Sequence, residues 1–391
     1  MRHCMIVDNH YPDIRVERQA RALVARGHEV DVICVRGADE PRRELVDGIR
    51  VHRAPIRRQR GMGLRSQVLE YVAFLGYAAA LVAVLHGRRA FDVVQVHNVP
   101  DFLVFAGAIP RLSGARLLLD LHDLMPEFFA SRFGGRMDSA AVRAVRVQER
   151  LSTGFADHVL TVTELWRRTL IERGVDEAKV DVIMNLPDDG LFARRDPKPP
   201  SANGPITFVY HGTLTHRYGV DLLMRAFAQV ANGMDVRLLV HGRGELVDEL
   251  RALCRELGIE PLVRLSTDLL PTAALPDLIA EGDIGVVPNR ADTFTDGILP
   301  TKLMEYAALG IPAVVSRTTA TSAYFDDAMV RYVPPGNVDA LAGAMRDLAA
   351  DPDARFDLAR KAQAFSDRYR WEAEAARYVD IVEKMASTPR S

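Results

Sequence analysis

The chain has 391 residues, 48% of them hydrophobic and 26% charged, with a formal net charge of -2. That length exceeds one ordinary core and points to two domains, and the balance excludes disordered and fibrous classes. Near-neutrality leaves no field that would gather nucleic acid, so none is expected as a partner.

The first residues, "MRHCMIVDNHYPD", read as a strand entering a loop, without the apolar segment and cleavage site of a secretory signal. Strand signals then alternate with helical periods nearly throughout, the pattern of a parallel sheet covered by helices. In the first half the strands are "RHCMIVD", "EVDVICV", "VVQVH", "RLLLDLH" and "HVLTVT". The helix between the first two puts Val16, Ala20, Leu23 and Val24 on one face and stops at Gly27. Arg50, Arg53, Arg57, Arg58, Arg60 and Arg65 follow with no acid among them, and then the apolar run Tyr71 to Leu85, about five residues short of a bilayer span. For Arg50 to Leu85 two readings stay open: a solvated basic loop before a buried helix, or contact with an anionic membrane surface.

The segment 194–205, "RRDPKPPSANGP", is too rich in proline and polar residues to form an element and reads as a linker. It divides an N-terminal domain at 1–193 from a C-terminal one at 206–365, and both have the doubly wound α/β pattern. The second half has the strands "ITFVYHG", "VRLLVHG", "VRLST", "IGVVP" and "PAVVS", with two helical stretches after about residue 338. Cys4, Cys34 and Cys254 lie in apolar runs without metal-ligand spacing and read as reduced thiols of a cytoplasmic protein. No Cys/His or paired-acid spacing suits a metal, so none is expected.

Four strands end in histidine, at His97, His122, His211 and His241, where ligands of open parallel sheets bind; all four are expected to face one cleft. His122 stands out because Asp123 and Glu127 follow it. After the strand ending at His211, Gly212, Thr213 and Arg217 lead to Gly219 and a helix, an arrangement whose free N–H groups and guanidinium suit a diphosphate. "HGRGELVDEL" lacks the third small residue of a dinucleotide fingerprint and reads as a tight turn near a ligand, with Arg243 as a contact. In "GILPTKLMEYAALGIPAVVS", Pro300 suits the first helical position, Thr301 and Lys302 stand at the helix mouth, and Glu305 follows one turn on. Phosphate at the mouth and ribose hydroxyls on Glu305 together describe a nucleotide diphosphate; the other reading is an exposed i,i+3 pair of Lys302 with Glu305.

"LPTKLMEYAALGIPAVVS" resembles the donor motif of the retaining GT-B glycosyltransferases of family four. "HNVPDFLVFAGAIPRLSGARLLLDLHDLMPE" and "YHGTLTHRYGVDLL" are similar to that family's acceptor-side and phosphate-side segments, and the resemblance extends over nearly the whole chain. It implies two Rossmann-like domains facing a central cleft, a metal-independent retaining reaction, and a terminal helix, 366–391, that crosses back to the N-terminal domain. It also implies that Glu305 is the second glutamate of an E-x7-E pattern and holds the ribose. The first glutamate is replaced by Gly297, which leaves sugar hydroxyls to other groups, backbone N–H groups of 297–300 among them. Tyr218 fills the family's lysine position in the first loop, so Arg217 carries the leaving diphosphate alone or with Lys302.

The expected activity is therefore glycosyl transfer from a nucleotide-sugar donor to a glycan, lipid-linked or small-molecule acceptor. The catalytic residues are His122, Arg217 and Lys302. Gly212, Thr213, Arg243, Gly297, Leu299, Pro300, Thr301 and Glu305 hold the donor, and His97, Asn98, Asp123 and Glu127 face the acceptor. A non-catalytic sugar-nucleotide-binding protein and an NAD-dependent oxidoreductase remain as alternatives.

Overall fold

The computed structural model describes residues 1–37, 39–56, 64–133, 135–200 and 204–388. The chain divides into two compact units, Met1–Asn185 with Ala373–Ser391, and Leu186–Glu372. The divisions fall at 185/186 and 372/373, several residues from the expected 193/194 and 365/366. The reason lies in the segment read as a linker, whose described residues form no element but pack along the second unit. Arg195 N–H donates to Ala308 O (3.0 Å), and Lys198 Nζ donates to Gly282 O (2.9 Å) and pairs with Asp283 (2.7 Å).

The first unit holds the strands β1 (Arg2–His10), β2 (Glu29–Val35), β3 (Arg43–Val46), β4 (Ile49–Ala54), β5 (Val93–His97), β6 (Arg116–Leu121), β7 (His158–Thr161) and β8 (Val180–Val182). Its helices are α1 (Ile14–Ala25), α2 (Leu64–Arg88), α3 (Ala108–Leu112), α4 (Met125–Phe133), α5 (Ala140–Phe155) and α6 (Glu164–Glu172). The sheet order is β3-β4-β2-β1-β5-β6-β7-β8, parallel except for the β3–β4 hairpin. That hairpin escapes the apolar-run reading because its strands are half-polar. Its signal is the Asp47–Gly48 pair, both at positive φ (49° and 82°) as a two-residue hairpin turn requires.

Helix α1 begins where Asp13 accepts from the Arg15 and Val16 N–H groups. Val16, Ala20 and Leu23 are fully buried on its inner face and Val24 only half-buried; Arg15 and Gln19 are buried as well, which the apolar period does not predict.

The second unit holds β9 (Ile206–His211), β10 (Val236–His241), β11 (Val263–Ser266), β12 (Ile284–Val287), β13 (Ala313–Ser316) and β14 (Arg331–Val333). Around them run α7 (Val220–Ala231), α8 (Val247–Glu256), α9 (Leu275–Ala280), α10 (Thr301–Ala308), α11 (Thr319–Tyr324), α12 (Val338–Ala350) and α13 (Pro352–Arg368), and α14 (Trp371–Ser387) closes the chain. The all-parallel order is β11-β10-β9-β12-β13-β14. Among the described residues three helices, not two, thus run from residue 338 onward. From Ala373 onward α14 belongs to the first unit, where its Tyr378 hydroxyl donates to Gln95 Oε1 (2.6 Å). The strand order reverses between β1 and β5 in one sheet and between β9 and β12 in the other, and ligand crevices form beyond the carboxyl ends at such points.

Candidate active site

In the first unit, β5 ends at His97 and β6 carries Asp120 just before His122. Asp120 is fully buried, and its two oxygens accept from Arg15 Nη2 (2.8 Å) and Nε (3.0 Å), with Gln19 Nε2 adding a third bond (2.8 Å). Arg15 also donates to Ile183 O (2.9 Å). This guanidinium and the two imidazoles overcome burial and hold the Asp120 carboxyl well below the ordinary aspartate range. His97 Nδ1 lies 3.0 Å from His122 Nε2 and 3.3 Å from Asp120 Oδ2. Burial lowers the His97 pKa, so the ring is held neutral. Asn98 braces the next turn: its Oδ1 accepts from the His122 and Asp123 N–H groups (2.7 and 3.3 Å), and its Nδ2 donates to Asp123 O (2.6 Å) and Asp101 Oδ1 (2.8 Å). Burial raises the Asp101 pKa to about 8.

In the second unit, β9 delivers Tyr210, His211 and Gly212 to the mouth of α10. Glu305 bonds His211 Nε2, and the His211 ring stands edge-on to Tyr306. Lys302 is buried with its Nζ 5.0 Å from the ring centroids of both Tyr210 and Tyr218. Desolvation lowers its pKa to about 8 against the opposing pull of Glu305. A Cβ on Gly212 would sit 3.3 Å from Lys302 Cε, so the ammonium stem runs alongside that glycine. The next loop is packed backbone on backbone: a Cβ on Gly242 (φ 158°) would lie 1.8 Å from Gly212 O.

Two family models cover most of the chain: residues 12–185 match the glycosyl transferase 4-like domain, and 205–351 match glycosyl transferases group 1. The chain belongs to the GT4-like, nucleotide-sugar-dependent glycosyltransferases. An uncharacterised glycosyltransferase of Methanocaldococcus jannaschii is 25% identical over 93% of this chain and 91% of its own length. Sucrose-phosphate synthase of Thermosynechococcus elongatus shares the fold with a TM-score of 0.78 at 17% identity, covering 98% of this chain and 99% of its own. The Anabaena protein HepE, solved with UDP-glucose, gives 0.71 at 16%, over 98% and 99%. Family membership decides for an enzyme of glycosyl transfer over the oxidoreductase and non-catalytic alternatives.

Within this glycosyltransferase the expected site residues fare unequally. His97 and His122 meet at neighbouring strand ends of the first unit. His211 and His241 end neighbouring strands of the second, where His241 bonds Ser266 Oγ (3.1 Å). His97 is wholly buried behind His122, so it does not itself face a ligand. Glu127 is not a free acid: it pairs with Arg173, which also holds Glu149 (3.0 Å). The helix begins at Thr301, with Pro300 one position before it in extended conformation (ψ 127°). The exposed Lys302–Glu305 pair does not form, because both side chains turn to the end of β9. The N–H groups of Gly297 and Ile298 bond Phe294 O (3.1 Å) and Thr295 O (3.4 Å).

The Gly212 loop is likewise less open than expected. Gly212 and Leu214 donate to His241 O (2.9 Å) and Arg243 O (2.8 Å), and the α7 mouth already carries Asp221 in a forked bond with Arg290 (2.7 Å twice). Arg217 lies over the Phe294 ring (5.4 Å), and Arg243 Nε donates to Thr267 O (2.9 Å). Leu299 is buried beneath the α10 mouth, and Thr213 O accepts from the Tyr210 hydroxyl (2.9 Å).

Sequence reasoning missed Asp120, Tyr210 and the pairing of Arg15 with Asp120. The one available signal was an acid inside the apolar run "LLLDLH", which predicts a buried partner of opposite charge. Among the described residues, His97, Asp120 and His122 form a cluster tight enough for a metal, with ligand atoms within 4.8 Å. Both Asp120 oxygens of that cluster accept from the buried Arg15 guanidinium.

Proposed function

We propose that this enzyme transfers a glycosyl group with retained anomeric configuration, without a metal ion, to a hydroxyl of a glycan or lipid-linked acceptor in polysaccharide or glycoconjugate synthesis. The observation that carries the reading is Lys302, a buried ammonium at a helix mouth with Glu305 one turn further along the same helix. The α10 N–H groups and Lys302 are positioned for the diphosphate, and the Arg217 fork adds to the charge that receives the departing phosphate. Glu305, steadied by His211, accepts from the ribose hydroxyls. The bond from the anomeric carbon to the β-phosphate oxygen breaks, and a bond to the acceptor oxygen forms on the same face. The acceptor proton passes to the departing phosphate oxygen. His122 bonds a sugar or acceptor hydroxyl.

A panel of nucleotide sugars in thermal-shift assays tests donor binding: a donor at about a hundred times its Kd should stabilise the fold by about 2.7 kcal/mol. No stabilisation by any of them would overturn the reading. Activity should survive chelator, whereas loss restored by magnesium or manganese overturns the metal-free mechanism. Inversion of the anomeric centre in the product, read by NMR, overturns retention.

A membrane-facing role at the cytoplasmic surface rests on α2. Its segment Ser66–Arg88 is long and apolar enough to cross a bilayer (mean hydropathy 2.1), so shortness does not argue against a span, and 28% of its apolar window is buried. Tyr71, Phe74, Ala78, Val82 and Leu85 form a buried stripe, while Val68, Leu69, Val72 and Val84 are exposed. Helix α3 adds exposed Ile109 and Leu112, and α5 adds Val147 and Leu151 beside exposed Arg143, Arg146 and Arg150. The basic run expected before α2 contributes less: Arg50 pairs with Asp31 (3.0 Å) and Glu29 (3.0 Å), and Arg53 with Glu40 (3.2 Å) and Glu44 (2.8 Å). Arg57, Arg58, Arg60 and the Arg65 side chain lie outside the described residues. Leu69→Ser with Val72→Ser should reduce sedimentation with anionic vesicles and leave turnover on a soluble acceptor intact; unchanged vesicle binding overturns the membrane reading.

A further inference from the structure

The His97–Asp120 pair behind His122 has one consistent arrangement of protons. Asp120 is an acceptor on both oxygens, each already bonded to Arg15. His97 is wholly buried and neutral, so it carries one N–H. Its Nε2 has no partner, whereas its Nδ1 faces both Asp120 Oδ2 (3.3 Å) and His122 Nε2 (3.0 Å). A proton on His97 Nε2 would set the lone pairs of Nδ1 and Oδ2 against each other unless a His122 Nε2–H entered between them, and it would in either case strand a buried donor without a partner. With the proton on Nδ1, the N–H lies between carboxylate and imidazole and only an acceptor is left bare. His122 Nε2, 3.6 Å from Asp120 Oδ2, must then receive rather than donate, since two N–H groups cannot face each other at 3.0 Å.

We propose that His97, held by Asp120 and Arg15, is a positioning residue that keeps His122 in the tautomer protonated on Nδ1, so that His122 meets its ligand as a hydrogen-bond donor and not as a base. The inference rests on the reading above that His122, whose side chain is 21% exposed, touches a sugar or acceptor hydroxyl. A donor there holds a sugar hydroxyl by its oxygen without taking its proton, and it leaves the acceptor proton to the departing phosphate. The device extends beyond the two rings. Gln95 Nε2 bonds Gln19 Oε1 (2.6 Å), Gln19 bonds Asp120, and Tyr378 of the terminal helix bonds Gln95, so α1, β5, β6 and α14 all restrain the same carboxylate.

Histidine-selective 15N labelling with two-bond 1H–15N correlation spectra reads the tautomer directly, with His122 assigned from the signals lost in His122→Gln. The expected spectrum has His122 protonated on Nδ1 and bare on Nε2 at neutral pH; Nε2 protonation overturns the proposal. His97→Leu should release His122 to the Nε2–H form facing Asp120 and lower kcat about tenfold or more at unchanged donor KM. His97→Asn, which returns an N–H near the Nδ1 position, should restore the tautomer and most of the turnover. An unchanged His122 tautomer in both variants overturns the proposal, and if His97→Leu fails to fold, the parent spectrum and His97→Asn decide. Parental turnover in His122→Gln would instead overturn the reading of His122 as a ligand contact, leaving the tautomer result to stand on its own.

Discussion

At the strand ends of the first unit a buried carboxylate, Asp120, is matched by a buried guanidinium and two imidazoles, so the group is closed and close to neutral. At those of the second, Lys302 has aromatic neighbours and, among the described residues, forms no ion pair with an acid; Glu305, one turn away, is occupied by His211. Both are buried charges near the carboxyl ends of parallel strands, yet they suit different ligands. A closed network presents oriented hydrogen bonds and fits a neutral hydroxylated molecule. An ammonium kept in an apolar setting gains most from an incoming anion, as its lowered pKa of about 8 reflects.

The largest expected effect tests the closed network. Asp120→Asn leaves the Arg15 guanidinium buried without its counter-charge and should lower unfolding free energy by about 3–5 kcal/mol in denaturant titrations. A change below about 1 kcal/mol, the range of exposed ion pairs in general, would erase the contrast with the surface. Because the folded Asp120 pKa is depressed, its contribution is fully present above the ordinary aspartate pKa of about 3.9 and is lost as pH falls towards the folded value. Acid unfolding of the parent should therefore shift in Asp120→Asn.

Next comes the open charge: Lys302→Ala should reduce kcat/KM for the donor on the order of a hundredfold. Above about pH 8 Lys302 loses its proton, so donor affinity of the parent should fall as pH rises through that value, and Lys302→Arg should remove this limb. Parental kinetics in Lys302→Ala would transfer the anion-binding role to Arg217. Glu305→Gln should weaken donor binding about tenfold by calorimetry, since ribose hydroxyls lose a charged acceptor, and Glu305→Ala should in addition destabilise the fold by about 1–3 kcal/mol because it strands His211. Arg243→Ala should change donor KM by less than about threefold, given that its guanidinium is engaged with Thr267 O.

Much of this was legible in the one-dimensional pattern. Apolar strands between amphipathic helices specify the two parallel sheets, and Glu305, Lys302 and His122 were recognisable because each stands beside a strand end or a helix start, both of which have local signals. The sequence by itself thus determined the fold class and the short helix α10 with its two charged residues, Lys302 and Glu305, since propensity, period and capping act over a few neighbouring residues. What only the tertiary structure decided was the partner of each charge. Arg15 and Asp120 are 105 residues apart, as His211 and Glu305 are 94, and nothing in either local segment records the other. For the same reason the loop N–H groups counted as free in the sequence prove to be bonded across to the next loop. A backbone donor's satisfaction depends on which strand lies alongside it, and sheet order is a property of the packed chain.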